Sequence, residues 1–118
     1  MAFLEHLLVF LHLLGLAGVL GGFLVQMKSS ERKILPVQWH GILTQVVTGV
    51  LLAGVVPQVD GEVAGAFYVK ITTKLVLALV ALVLIAANRK RDTVTTGVWA
   101  TIGAVEIVNV AIAVFWAL

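Results

Sequence analysis

Cysteine is absent from the 118 residues, which removes disulfides, thiolate metal ligands and thiol nucleophiles together. Any chemistry therefore rests on histidine, carboxylates, lysine or backbone groups. Charge is scarce as well: 12% of residues are Asp, Glu, Lys or Arg, against ~25% in an ordinary soluble domain. With 61% hydrophobic residues and a mean hydropathy of +1.11, the chain has too little polar surface to cover a soluble globule. Proline occurs only at Pro36 and Pro57. There is no glycine-rich nucleotide loop, serine triad or paired-histidine zinc motif, and no soluble segment long enough to house one, so soluble-type hydrolysis and phosphoryl transfer are not expected. No Lys or Arg precedes the first apolar run, which is too long for a cleaved signal, so the first helix is expected to be retained.

What is present is a series of long apolar runs. Leu7 to Val25 contains His12 as its one ionisable side chain, and such a run matches the ~20 helical residues that cross the ~30 Å hydrocarbon core of a bilayer. Four such segments are predicted, at about 3–26, 38–56, 67–88 and 94–118. All are expected to be helices, because lipid leaves an unclosed chain no other way to satisfy its backbone groups. The expected fold is all-α: one integral membrane domain over residues 1–118, a four-transmembrane-helix bundle with antiparallel up-down connections and short loops. Pro36 and Pro57 are read as punctuating the two ends of the second helix.

The net charge of +2 does not point to nucleic acid, because the basic residues cluster in short loops between apolar runs. Loop 27–37 carries Lys28, Arg32 and Lys33, and loop 89–93 carries Arg89, Lys90 and Arg91, whereas loop 57–66 has only Asp60 and Glu62. Positive charge in short loops marks the cytoplasmic side. Loops 27–37 and 89–93 are therefore expected in the cytoplasm, and both termini with loop 57–66 outside, in a multi-pass plasma (inner) membrane protein. Trp39, Tyr68, Trp99 and Trp116 are placed as interfacial aromatics. Gly18 and Gly22 allow close helix approach in lipid, either to a helix of the same chain or to a second copy in a homodimer.

Ionisable residues inside membrane helices are costly and usually face the bundle interior. At ~1.5 Å rise per residue, His12 lies roughly 13 Å below the outer end of its helix and Lys74 about 9 Å below the outer end of its own. Glu106 lies about as deep as His12, Asn109 one turn from it, and Thr48 near midplane. His12, Thr48, Lys74, Glu106 and Asn109 thus converge on one layer in the outer half, with Gln26 and Gln45 as further neutral polar residues. His40 is on the order of 15 Å from His12 in depth and cannot share a small metal ion with it. The plain alternatives are a structural ion pair between Glu106 and Lys74, and a His12 that only bonds a neighbouring helix.

Three pieces of the chain resemble the small-helix pattern of bacterial CopD-like and HemJ-like membrane proteins. They are His12-Leu-Leu-Gly15 followed by Gly21-Gly22, then Thr48-Gly49, then Lys74 opening a helix that ends in Asn88-Arg89-Lys90-Arg91. The expected tryptophan before the glycine pair is replaced by Ala17-Gly18. The resemblance implies copper handling or haem and porphyrin chemistry, with His12 and Lys74 as the important pair and His12 as the metal ligand. A haem or porphyrin, or copper, is thus the expected cofactor, with Glu106 and Asn109 as supporting polar groups. Two other readings stand beside it: a proton-coupled small transporter working through Glu106, and a non-catalytic accessory or assembly subunit of a larger membrane complex.

Overall fold

The computed structural model describes residues 2–60 and 65–115; Glu62 and Trp116 lie outside them. It contains four helices, α1 (Ala2–Leu24), α2 (Pro36–Asp60), α3 (Gly65–Asn88) and α4 (Thr96–Phe115). They pack in a ring in which each touches its sequence neighbours and α1 closes onto α4. This is the expected all-α up-down bundle. Among the described residues, Phe3–Leu24, Tyr68–Asn88 and Thr96–Phe115 are each long and apolar enough to cross a membrane. The remaining helix, α2, is 25 residues long and carries the most polar of the four inner faces, with Gln38, Gln45 and Thr48 all buried.

The distribution of side chains is that of a lipid-embedded bundle. Phe3, Phe10, Leu13, Leu14, Val25, Val83 and Phe115 are exposed, while Gln26, Gln38, Gln45, Thr48, Asn88, Glu106 and Asn109 are buried. An apolar exterior of this extent has no place in water. The polar residues turn inward because lipid offers them no partners.

Helix ends follow local chemistry. Pro36 opens α2, where its missing N–H is no loss, and the Gln38 side chain reaches back to accept the Leu35 N–H at 3.0 Å. Thr95 caps α4 by accepting the Val98 N–H at 3.1 Å. At the end of α1, the Gln26 amide donates to the Gly22 and Lys33 carbonyls and accepts the Lys33 N–H, which covers an orphan carbonyl of the helix end. Pro57 does not end α2, which continues to Asp60; the expected boundary at Pro57 is corrected, since a proline near a helix end removes one N–H without forcing the last turn open.

The closest packing is between α1 and α2, and glycine is its cause. A Cβ on Gly15 would stand 2.6 Å from the Gly41 carbonyl oxygen, and one on Gly41 would stand 2.6 Å from the Gly15 oxygen. Gly18 faces the Val37 carbonyl oxygen and Gly22 faces the Gln38 side chain. The Gly18 and Gly22 approach is therefore made within the chain.

The half of the bundle nearest the basic loops is tightly filled. Val19, Ile34, Ile42, Ala81, Ile85 and Ile102 form its core, and the Phe23 ring occupies the space left by the missing side chain of Gly103. Phe23 stacks on Trp99 at 4.6 Å between ring centroids, and the Trp99 indole N–H donates to the Phe23 carbonyl at 3.0 Å. Arg32 lies over the Trp99 ring at 4.0 Å, donates to the Gln26 and Met27 carbonyls, and pairs by its backbone with Val94. Arg89 lies over Trp39 at 4.2 Å. Two residues of the basic loops thus fasten this end of the bundle in addition to carrying topological charge.

Candidate functional site

The opposite half is not filled. Between the four helices lies a cavity of about 250 Å³. Val9, Leu13, Val46, Ile71 and Leu75 supply apolar wall, and the polar groups on it are His12 from α1, Gln45 from α2, Lys74 from α3 and Asn109 from α4. Each helix therefore delivers one polar side chain to one space, at the level where the sequence places its polar layer.

His12 is held in a defined orientation. Its Nδ1 lies 3.0 Å from the Gln45 backbone carbonyl and 2.9 Å from the Thr48 hydroxyl oxygen. The Thr48 hydroxyl spends its own hydrogen on the Thr44 carbonyl at 2.6 Å, so toward His12 it accepts. Two acceptors at one nitrogen require that Nδ1 carry the hydrogen, which leaves Nε2 as the nitrogen with the lone pair in the neutral ring. Gly49 makes room for this ring: a Cβ there would lie 3.3 Å from His12 Cε1.

Lys74 is half-buried on the cavity wall, near enough to His12 for the two to interact electrostatically. Asn109 is buried and donates through Nδ2 to the Lys74 backbone carbonyl at 3.3 Å. That bond ties α4 to α3 where the lysine projects.

Of the five residues expected in the layer, His12, Lys74 and Asn109 line the cavity and Thr48 stands behind His12 as its acceptor. Glu106 is fully buried but does not line it. The ion pair between Glu106 and Lys74 considered above is not formed: neither Glu106 oxygen has a hydrogen-bond partner among the described residues. Gln45 is the residue that spacing arguments undervalued. Its backbone carbonyl holds His12 while its side chain lies against Glu106, so it joins the two parts of the polar layer. The signal was its place in α2 one turn before Thr48, on the same face.

The described residues bring together no group of three His, Cys, Asp or Glu side chains of the kind that holds a metal ion. The fold and site define a membrane-embedded four-helix bundle with a cavity in one half, mostly apolar and carrying one polar side chain from each helix. Comparison with family models, curated proteins and solved structures finds no match for this chain.

Proposed function

We propose that this chain is a membrane-embedded binding protein whose cavity holds a small, largely apolar molecule bearing one acidic group. The observation that carries this reading is the cavity itself: apolar walls on every helix, with a lysine amine that has no hydrogen-bond partner among the described residues and an oriented imidazole. Lys74 supplies the positive charge that an acidic group takes up in a dry site. His12 offers Nε2 as acceptor, or as donor once the ring takes a second hydrogen. With the basic loops placed in the cytoplasm, the cavity belongs to the outer leaflet, and a lipid-soluble ligand reaches it from there.

The haem reading implied by the CopD-like and HemJ-like resemblance has one supporting feature. A ligating histidine is commonly oriented by a carbonyl on its other nitrogen, as the Gln45 carbonyl orients His12. The volume opposes it, because about 250 Å³ falls below the ~300–1,000 Å³ of pockets that take drug-sized ligands, and a tetrapyrrole is larger than those. A copper centre needs more soft or imidazole ligands than His12 alone provides.

The test is extraction and mass spectrometry of molecules that co-purify with the protein in lipid nanodiscs, together with its visible spectrum. The expected result is an acidic small molecule retained by the wild type and lost from Lys74→Met. A Soret band with stoichiometric haem would replace this reading with the porphyrin one.

A further inference from the structure

Glu106, which the cavity wall does not include, forms a second polar centre with two residues of that wall, Gln45 and Asn109. Four buried side-chain oxygens have no hydrogen-bond donor among the described residues: Gln45 Oε1, both carboxyl oxygens of Glu106 and Asn109 Oδ1. All three side chains are more than nine-tenths buried, with exposures of 2% for Gln45, 0% for Glu106 and 4% for Asn109. Glu106 and Asn109 are three apart on α4 and so share a face, and Gln45 of α2 lies against the Glu106 carboxyl.

The Gln45 side chain approaches the Glu106 carboxyl, but no donor among the described residues meets these four oxygens in hydrogen-bond geometry. Asn109 Nδ2 is bonded to the Lys74 carbonyl, which fixes Oδ1 as the free end of that amide. Lys74 makes no ion pair with Glu106 among the described residues. Gln45 and Asn109 also line the cavity but Glu106 does not, so an occupant of the cavity leaves the carboxylate unmet. Buried oxygens without donors are costly, more so at membrane depth.

We propose that Glu106, Gln45 and Asn109 form a buried site for a desolvated monovalent cation, an alkali ion or ammonium. The carboxylate supplies the compensating charge, and the two amide carbonyls supply neutral oxygen ligands of the kind hard cations select. One cation satisfies all four oxygens at once. A single proton on Glu106 provides one donor and leaves at least two of the acceptors bare. Because the Gln45 backbone also holds His12, an occupied site fixes Gln45 from its side chain and stiffens the wall of the cavity. The site goes beyond the cavity reading and does not depend on it.

The experiment is saturable binding of radioactive sodium to the purified full chain in detergent, with potassium and ammonium as competitors and N-methyl-D-glucamine as the inert cation. In parallel, thermal unfolding is followed in each chloride salt at equal ionic strength. Saturable binding displaced by one or more of the small cations is expected, with an unfolding midpoint raised by about 5 °C once the salt is tenfold above its dissociation constant. The competitors identify which cation is preferred, and Glu106→Gln is expected to abolish both effects. The wild-type measurement decides even if that variant does not fold. Equal midpoints in all four salts with no saturable binding, or undiminished binding in a folded Glu106→Gln, would overturn the proposal in favour of a proton and water at these oxygens.

Discussion

Replacing Gly15 by alanine is expected to loosen the tightest helix contact and, through it, the candidate site. A Cβ at this position would stand 2.6 Å from the Gly41 carbonyl oxygen and 2.8 Å from the Gln45 backbone nitrogen. Ordinary carbon to oxygen contacts are about 3.3–3.6 Å, so α1 and α2 must separate by about 0.7 Å at this level. Backbone atoms stand on the far side of the contact, so no side-chain rotation relieves it. His12 lies one turn away on α1, and its bond to the Gln45 carbonyl measures 3.0 Å. The same separation carries it to about 3.7 Å, beyond the range of a hydrogen bond. Overpacking of this kind costs about 1–3 kcal/mol, and an interhelical hydrogen bond in a membrane is worth about 0.6 kcal/mol. The control is Gly21→Ala, where a Cβ meets nothing within 4 Å, so that variant carries only alanine's better helix propensity of about 1 kcal/mol. The propensity gain is common to both variants and cancels, so unfolding in mixed micelles, read as the difference between them, should show Gly15→Ala less stable by about 1.5–3.5 kcal/mol. The ring ¹⁵N spectrum of His12 should lose its fixed Nδ1-protonated pattern. Equal stability of the two variants with an unchanged His12 spectrum would refute the packing argument.

Other outcomes follow from single contacts. Gln26→Leu deprives the Lys33 N–H of its acceptor and the Gly22 and Lys33 carbonyls of their donor; a loss of about 1–3 kcal/mol is expected in the same unfolding assay, with faster hydrogen exchange at Lys33. Thr95→Ala removes the α4 cap on Val98 and should cost about 1 kcal/mol, measurable with Thr95→Ser as the rescuing variant. Gly49→Ala puts a methyl group 3.3 Å from His12 Cε1; it should leave stability within about 1 kcal/mol while shifting the His12 ring resonances, and an unshifted spectrum would contradict the placement of that ring.

The architecture was legible in the sequence because lipid imposes a simple rule: long runs without charge become helices, and the polar residues within them face inward. That rule placed His12, Lys74 and Asn109 at one level, and the cavity lies there. It was blind to the azimuth of Glu106, whose depth matches the others but which is buried without lining the cavity. Depth counts residues along one helix, whereas azimuth depends on how two helices are rotated against each other. Gln45 was undervalued for a related reason, since its role depends on a backbone carbonyl that every residue possesses. The glycine stripe signalled a close approach without naming its partner, which the reciprocal fit of Gly15 and Gly41 supplies. Arg32 and Arg89 read as topology signals because charge near a membrane has that meaning by itself, and only the folded chain brings them over Trp99 and Trp39.

The central claim is that the cavity between His12 and Lys74 receives an apolar acid. Photolabelling of the protein in lipid nanodiscs with a diazirine-bearing aliphatic carboxylic acid tests it most directly, with the labelled residues mapped by mass spectrometry. Label concentrated on Val46, Ile71 and Leu75, and lost in Ala78→Phe, which fills the cavity from its buried wall, is the predicted result. Label spread over the outward-facing Phe10, Leu14 and Val83, and unchanged by Ala78→Phe, would contradict it.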